Sequence, residues 1–277
     1  MAYSLKLTTP LFRQALFYAA TIVLGLTVAL SELDQGHYGN FLRYACIGLA
    51  VMVIELYLGW SEHTRQQYQT PIPHIDQLSK YSKFLHHGVL PLITYLSLAG
   101  FTYFNRQIHL RVVILSSAVL IFTLLFINIR AYYTHTVQII EATHFIYDII
   151  KLIIFFCACD AVFNIGISFE LGAWGGVGIA TISIGLMLLM IVRYNKLELL
   201  SLVLIVMLSI AIGALAYFLL SQNRFNPTQL SLVTFLTFYI SSAALHHEMD
   251  HNLDWKIIIE YIAILALAMT LLYGITG

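Results

Sequence analysis

The sequence predicts an all-α, polytopic integral membrane protein with about nine transmembrane helices and a cytoplasmic N-terminus. Of its 277 residues, 60% are hydrophobic and 10% are charged, whereas soluble domains are about 45–50% apolar and about 25% charged. The apolar residues fall in long runs, each of roughly the 20 residues that a helix needs to cross a bilayer. Membrane β-barrels would instead show alternating segments of about ten residues.

The nine predicted spans follow one another with short polar joints. They cover residues 11–31, 40–60, 84–104, 110–130, 139–164, 171–193, 198–221, 228–247 and 255–275. The long connection, 61–83, is predicted to be a cytoplasmic loop that could act as a lid. Small residues at 172–178 predict close helix packing where span six begins. No internal repeat or low-complexity tract divides the chain, so 1–277 is predicted to be a single transmembrane domain.

Lysine and arginine near the span ends predict the orientation, because cytoplasmic ends collect them. The side of the N-terminus carries Lys6, Arg13, Arg65, Lys80, Lys83, Arg130, Arg193, Lys196 and Lys256. The other side carries Arg43, Arg106, Arg111 and Arg224. We therefore expect a cytoplasmic N-terminus, with the protein in a bacterial cytoplasmic membrane. The net charge of +0 gives no basic surface for nucleic acid, so the expected partners are the bilayer and a lipid-like or amphipathic substrate.

Span five carries four ionisable or histidine side chains at helical spacing. Glu141, His144, Asp148 and Lys151 are separated by three, four and three residues, which places them on one face of a helix. One interpretation is structural: Asp148 neutralises Lys151, and Glu141 bonds His144. The other is functional, because ionisable groups inside a span are costly and by default mark a site.

Of three further carboxylates, Glu55 lies in span two, Glu62 follows directly after that span, and Asp160 lies in span five. Glu55 and Glu62 are seven residues apart and so share a helix face. Glu62 is expected at the cytoplasmic interface and Glu55 deeper, where it could pair with Lys151. Asp160 points to the opposite face of span five from the stripe and is interpreted as a separate feature.

Span eight ends in His247-Glu248-x-x-His251. The two histidines lie at i and i+4 on one helix face, as in the zinc hydrolase pattern, where the glutamate activates water. The sequence offers no third ligand directly after this motif. We therefore consider a metal site in which residues of other spans supply the remaining ligands.

A di-metal carboxylate site is one such hypothesis. Helix-bundle sites of this type take a lone Glu from each of two helices and Glu-x-x-His from each of two others. The chain offers Glu62, Glu141-x-x-His144, Glu198 and Glu248-x-x-His251 in that order. Two iron or manganese ions held there could activate oxygen on a lipid-like substrate.

The clustering of histidines at one membrane face resembles that in the membrane fatty-acid desaturases and hydroxylases, which implies a histidine-rich non-haem metal site. Their His-x-x-His-His boxes are absent here, and the doublets are His86-His87 and His246-His247. Ser82-x-x-x-His86, Asp148 and His247-x-x-x-His251 can also be laid on the pattern of the membrane ceramidase-like hydrolases.

These observations predict an integral-membrane metalloenzyme with a divalent metal, zinc or iron, at the cytoplasmic face. Glu248, Asp148 and Lys151 are the expected catalytic residues, with Asp148 orienting a histidine and Lys151 as its counter-charge. The expected ligands are Glu62, His86, His87, Glu141, His144, His247 and His251. One alternative is a proton- or cation-coupled transporter that uses Glu55, Asp148 and Lys151. Another is a structural membrane subunit.

Overall fold

The structure is a computed structural model that describes residues 9–67, 88–105, 107–133, 140–191, 199–222, 225–249 and 254–276. Regular structure within these ranges is helical. The helices of the described ranges are α1 (Thr9–Asp34), α2 (Tyr38–Gln67), α3 (Leu90–Phe104), α4 (Ile108–Tyr133), α5 (Ile140–Ser168), α6 (Gly172–Ile191), α7 (Leu199–Ser221), α8 (Pro227–Met249) and α9 (Trp255–Thr276).

Seven of these helices, as far as the chain is described, are long and apolar enough to cross a membrane: α1, α2, α4, α5, α6, α7 and α8. Helix α3 is apolar but has only 15 residues. Large apolar side chains face outward, as lipid contact requires; Phe17 is 68% exposed and Leu120 67%. The all-helical, apolar fold is that of an α-helical membrane protein, while nine spans and a cytoplasmic N-terminus stay predictions.

Helix α2 continues beyond its predicted membrane end. It runs to Gln67, so the first seven residues of the predicted 61–83 loop are helical. The remainder of that predicted lid lies outside the described residues.

The chain divides into two compact units, Met1–Tyr147 and Asp148–Gly277, and the prediction of one domain stays a prediction. In the first unit, α1 packs on α2 and α4 through a buried stripe with spacings of three and four residues, Ala15, Ala19, Ile22, Leu26 and Ala29. Tyr95 of α3 donates its hydroxyl to the Ala45 carbonyl of α2 at 2.6 Å. The absence of a side chain at Gly48 makes room for that ring.

The joint between α1 and α2 is a Schellman turn. Gly36 has φ +83°, His37 N–H donates to the Glu32 carbonyl at 2.9 Å, and Gly36 N–H donates to the Leu33 carbonyl at 3.0 Å. The Glu32 carboxylate then accepts the Asn40 amide at 2.8 Å. Glycine at this position suits the left-handed backbone, so the predicted polar joint forms a defined stop between two helices.

In the second unit, aromatic stacking fixes how α5 packs on α8. The rings of Phe155 and Phe238 stack with centroids 3.9 Å apart, and Phe156 meets Phe235 edge-on at 6.0 Å. Residue numbers rise on α5 as they fall on α8, so the two helices run antiparallel.

Small residues allow α6 and α7 to cross closely. A Cβ atom added to Gly213 of α7 would lie 2.7 Å from both the Gly176 carbonyl and the Ala180 Cβ of α6. Such small-xxx-small surfaces let two helix backbones approach in a membrane. The predicted close packing of the glycine-rich start of this span is confirmed.

The joint between α5 and α6 repeats the Schellman geometry without glycine. Leu171 N–H donates to the Gly166 carbonyl at 2.9 Å, and Glu170 takes the left-handed position with φ 54°. A side chain in this conformation is strained by about 1 kcal/mol, so the surrounding fold imposes it.

Candidate functional site

The predicted site residues differ in how much the structure describes of them. Asp148, Lys151, His247 and Glu248 are described with their side chains. The backbones of Glu62, Glu141 and His144 lie within α2 and α5, and nothing of their side chains is described. The remaining predicted ligands lie outside the described residues: His86, His87 and His251. The predicted gathering of His144 with His251 is therefore an open prediction.

The stripe on α5 contains a buried ion pair. Lys151 Nζ lies 3.2 Å from Asp148 Oδ1, with the lysine side chain 1% exposed and the aspartate side chain 26% exposed. The same Nζ lies 3.5 Å from the Leu189 carbonyl oxygen of α6. A buried ammonium is tolerated only with a counter-charge and hydrogen-bond acceptors around it. The predicted pairing of Asp148 with Lys151 is confirmed.

A carboxylate of the first unit is also buried. Glu55, in the apolar part of α2, is 6% exposed, as its predicted depth requires. Burial of a carboxylate in an apolar helix is costly, so Glu55 is a second ionisable group with a structural or functional reason to be there.

The predicted histidine cluster closes α8. His246 and His247 lie in its last turn. The His247 ring lies 6.3 Å from the Tyr261 ring of α9, tilted by 41°. Both His247 and Glu248 are half-buried, which leaves them accessible from one side.

The α5–α8 packing places the ion pair and the cluster at the same end of the second unit. Asp148 lies seven residues before Phe155, and Leu245 lies seven residues after its stacking partner Phe238. Seven residues are about two helical turns on each helix, so Asp148 lies level with Leu245. His247 and Glu248 follow Leu245 directly.

Asp148 and Leu245 lie at the same level along their helices, but this does not bring side chains together. A metal ion needs several ligand atoms in direct contact with it. Among the side chains that the structure describes, no three His, Cys, Asp or Glu groups are placed to hold a metal ion. His247 and Glu248 are consecutive in a helix, so their side chains diverge by about 100°. The described residues thus do not by themselves form a site for a zinc or iron ion.

The described residues line a cavity at helix ends in each of the two units. In the first unit, a cavity of about 500 Å³ is lined by Leu33, Asp34, Gly36, Tyr38, Tyr103, Phe104 and Arg111. There the buried Arg111 pairs with Asp34 at 2.7 Å, which holds α4 to the end of α1. In the second unit, a cavity of about 400 Å³ is lined by Gly166, Ile167, Glu170, Gly172, Tyr217, Leu220 and Ser221.

Asp160 is a polar group whose surroundings the sequence did not predict. It is fully buried on α5, and it faces side chains from the first two turns of α8. An aspartate inside an apolar span was the available signal. Its neighbours come from a helix nearly 70 residues later, so only the tertiary packing brings them together.

No protein-family model and no curated protein matches the sequence, and no solved structure matches the fold.

Proposed function

We propose that the chain is a membrane transporter that moves a proton or a small cation, with Asp148 and Lys151 on the path. The buried ion pair of α5 carries this proposal, because ionisable groups inside a span by default mark a transport or relay route. Lys151 is enclosed, while about a quarter of the Asp148 side chain is exposed. A proton or cation can therefore reach the aspartate without first passing the lysine.

The pair offers a way to couple ion arrival to movement. A proton on Asp148 removes the charge that neutralises Lys151. A buried ion pair that loses one partner is destabilised by about 3–5 kcal/mol, so the lysine must release its proton or change its surroundings. Lys151 Nζ lies near the Leu189 carbonyl of α6, so the contact between α5 and α6 is one that would respond. Glu55, the buried carboxylate of α2, is a separate candidate for a proton-binding group within the first unit.

Proton flux into liposomes tests the proposal. The purified protein is reconstituted with an entrapped pH dye, and a potassium gradient with valinomycin drives protons inward. We expect flux above that of empty liposomes, lost in Asp148→Asn. The matched control is Asp254→Asn, because Asp254 is an exposed carboxylate that accepts the Trp255 N–H at 2.7 Å at the start of α9. Parent liposomes as tight as empty ones, or equal flux in Asp148→Asn, would reject proton transport through Asp148.

We infer a second candidate, an integral-membrane metalloenzyme that acts on a lipid-like substrate at the cytoplasmic face. It is favoured by the common level of Asp148 and of His247 and Glu248 at one end of the second unit. Glu141 and His144 precede Asp148 by two turns and one turn on α5, at the same end of that helix. Zinc with one bound water would suit hydrolysis, and two irons would suit oxygen chemistry.

Metal content separates the two candidates. The purified protein is analysed for zinc, iron and manganese before and after His247→Ala and His144→Ala. The enzyme proposal expects stoichiometric metal in the parent and its loss in both variants. A metal-free parent, or variants that keep the full complement, would remove this candidate while leaving the flux experiment unaffected.

We also propose a bacterial cytoplasmic membrane as the location, with nine spans and the N-terminus in the cytoplasm. The seven apolar helices support an integral membrane protein. The excess of lysine and arginine on the side of the N-terminus supports the orientation.

A further inference from the structure

The cavity of the first unit lies where four helices begin or end. Its lining comes from the ends of α1 and α3, from the turn that leads into α2, and from the first turn of α4. The candidate spans of α1 and α2 end and begin at two of its residues, Asp34 and Tyr38. The cavity therefore lies at a boundary of the apolar part of this unit, where a bilayer has its headgroups. Its volume of about 500 Å³ is that of a small-molecule site.

Arg111 brings a buried guanidinium with unused donors to this cavity. Its side chain is 8% exposed. Its Nε donates to the Asn105 carbonyl, and its Nη1 donates to Asp34 Oδ1 at 2.7 Å. Nη2 donates to no acceptor in the part of the chain that the structure describes, and it is not among the fully enclosed, unpartnered atoms of that part. Since a guanidinium has five N–H donors, an accessible edge is left for an anionic group.

Asp34 brings the opposite charge to the same place. Its side chain is 59% exposed, and the bond from Arg111 occupies Oδ1, so Oδ2 is available to a donor from outside. A purely anionic ligand would be repelled by this carboxylate, and a purely cationic one by the guanidinium. The adjacent charges therefore favour a ligand that carries a negative and a positive group close together.

The helix ends favour the same orientation of such a ligand. Arg111 lies in the first turn of α4, where the helix dipole is positive, and Asp34 is the last residue of α1, where it is negative. An aspartate at the negative end of a helix is disfavoured by the dipole, so a cation bound there offsets an unfavourable charge. The anionic group of the ligand belongs toward α4 and its cationic group toward α1.

An aromatic wall completes the cavity. Tyr38, Tyr103 and Phe104 line it. The rings of Tyr103 and Phe104 meet edge-on at 4.8 Å, and Tyr103 packs on the Phe41 ring at 5.0 Å, so this wall is in place before a ligand arrives. Aromatic faces attract ammonium groups, and tyrosines are enriched at the headgroup level of membrane proteins.

We propose that this cavity binds the zwitterionic headgroup of a phospholipid, with the phosphate on Arg111 and a primary ammonium between Asp34 and the aromatic wall. Arginine binds phosphate through charge-assisted hydrogen bonds, and the ammonium supplies the donor that Asp34 Oδ2 can accept. Phosphatidylethanolamine carries both groups. The proposal goes beyond the proposed function and does not rest on it, because Asp148 and Lys151 belong to the second unit.

Lipid titration of the purified, delipidated full chain in detergent is the direct test, since no transport takes place there. The probes are dioctanoyl phosphatidylethanolamine, phosphatidylcholine and phosphatidylglycerol, with glycerophosphoethanolamine as the headgroup without acyl chains. Native mass spectrometry counts the bound lipid, and the unfolding temperature reports its effect. We expect phosphatidylethanolamine to bind most tightly and to raise the unfolding temperature most, since a ligand of the native state stabilises it.

Asp34→Asn should exchange the preferred lipid. The substitution removes the carboxylate that accepts the ammonium, so phosphatidylethanolamine should bind about tenfold more weakly. It also frees the Arg111 guanidinium from its counter-charge, so the anionic phosphatidylglycerol should bind more tightly than to the parent. Asp254→Asn, which changes an exposed carboxylate of the second unit, should keep the parent's order of lipids.

Two exposed tyrosines of α2 provide a second matched pair. Tyr38→Leu removes a ring of the aromatic wall, whereas Tyr44→Leu changes an exposed tyrosine that does not line the cavity. We expect weaker binding of phosphatidylethanolamine only in Tyr38→Leu. This pair decides the question even if Asp34→Asn does not fold.

Three results would overturn the proposal. The first is a parent that binds the three lipids equally. The second is an Asp34→Asn variant that unfolds at a lower temperature but keeps the parent's order of lipids, which would make the ion pair a link between α1 and α4 alone. The third is glycerophosphoethanolamine binding as tightly as the whole lipid, which would make the ligand a soluble zwitterion. Failure of the flux experiment with an intact lipid preference would reject only proton transport through Asp148.

Discussion

Lys151 and Asp148 are unequal partners. The lysine is almost completely enclosed, and the aspartate keeps contact with the exterior. Removing the lysine leaves a carboxylate that water can reach, whereas removing the aspartate leaves an ammonium that water cannot reach. The free energy of unfolding should therefore respond differently to the two substitutions.

We expect Asp148→Asn to lower the free energy of unfolding by about 2–3 kcal/mol, since the exposed part of Asp148 moderates the cost of a broken buried pair. Lys151→Met should cost less, about 1 kcal/mol, because the partly exposed carboxylate regains water. The double variant should recover to within about 1 kcal/mol of the parent. Unfolding by SDS titration in mixed micelles measures all three. Equal losses in both single variants that add in the double variant would show that the pair is not coupled.

For individual residues, the sequence predicted the side-chain interactions that form within one helix. The spacing of three residues between Asp148 and Lys151 is sufficient to predict their pairing. The hydroxyl groups beside Asp160 come from Thr228 and Ser231, whose order along α8 says nothing about α5. The packing partner of a buried polar residue is a tertiary property, so the sequence could mark Asp160 as unusual without giving its neighbours.

Helices α6 and α7 owe their close approach to three small residues. At the crossing, the Gly213 backbone of α7 lies against the Gly176 carbonyl and the Ala180 side chain of α6. Without a hydrophobic driving force between helices in lipid, this packing supplies much of the association. Adding a single methyl group at the crossing should therefore displace both helices.

Gly213→Ala is expected to destabilise the protein by about 1–3 kcal/mol, because the new Cβ meets the Gly176 carbonyl at 2.7 Å and the crossing must open. Gly185→Ala is the matched control, because a Cβ at Gly185 of α6 would meet no atom within 4 Å. Thermal unfolding in detergent should show a lower midpoint for the first variant and an unchanged or higher one for the second. The opposite order would mean that the two helices do not cross at these residues.

Helix boundaries were the less predictable part of each element. The hydropathy pattern ends span two at residue 60, whereas α2 continues to Gln67. The two ends differ because polar residues can continue a helix once it leaves the bilayer. Hydropathy reports the membrane environment, whereas hydrogen bonding sets the end of the helix.

The span count governs the topology of the whole molecule. Seven helices of the described chain meet the length and apolarity of a span, and the short α3 and the incompletely described α9 decide whether the total is nine. Each change of one in the count reverses the side on which every later loop lies.

Reporter fusions resolve the count. Alkaline phosphatase is active only outside the cytoplasm, and green fluorescent protein is a suitable reporter inside it. With nine spans, a phosphatase fused after Gly277 is active, and one fused within residues 192–198 is inactive. Activity at both positions would mean that one of the intervening helices does not cross.

The sequence predicted the class of fold because lipid imposes a simple rule on composition and run length. It predicted the location of the ionisable groups along the helices for the same reason. It did not predict the division into two compact units, since that depends on which helices pack together. The metal site is still a matter of the undescribed side chains of Glu141 and His144 and of residues such as His251.

Asp160 of α5 lies beside Ser231 of the antiparallel helix α8. This packing has a consequence for membrane insertion during synthesis. Helix α5 enters the membrane with Asp148, Lys151 and Asp160, each of which disfavours insertion by the translocon by roughly 2.5–3.5 kcal/mol at a helix centre. The α8 side chains that surround Asp160 are translated about 70 residues later, or roughly 4–14 s at 5–20 residues per second. During that interval the polar side chain of Asp160 in α5 lacks its α8 neighbours. We therefore expect α5 to stay beside the translocon until α8 emerges.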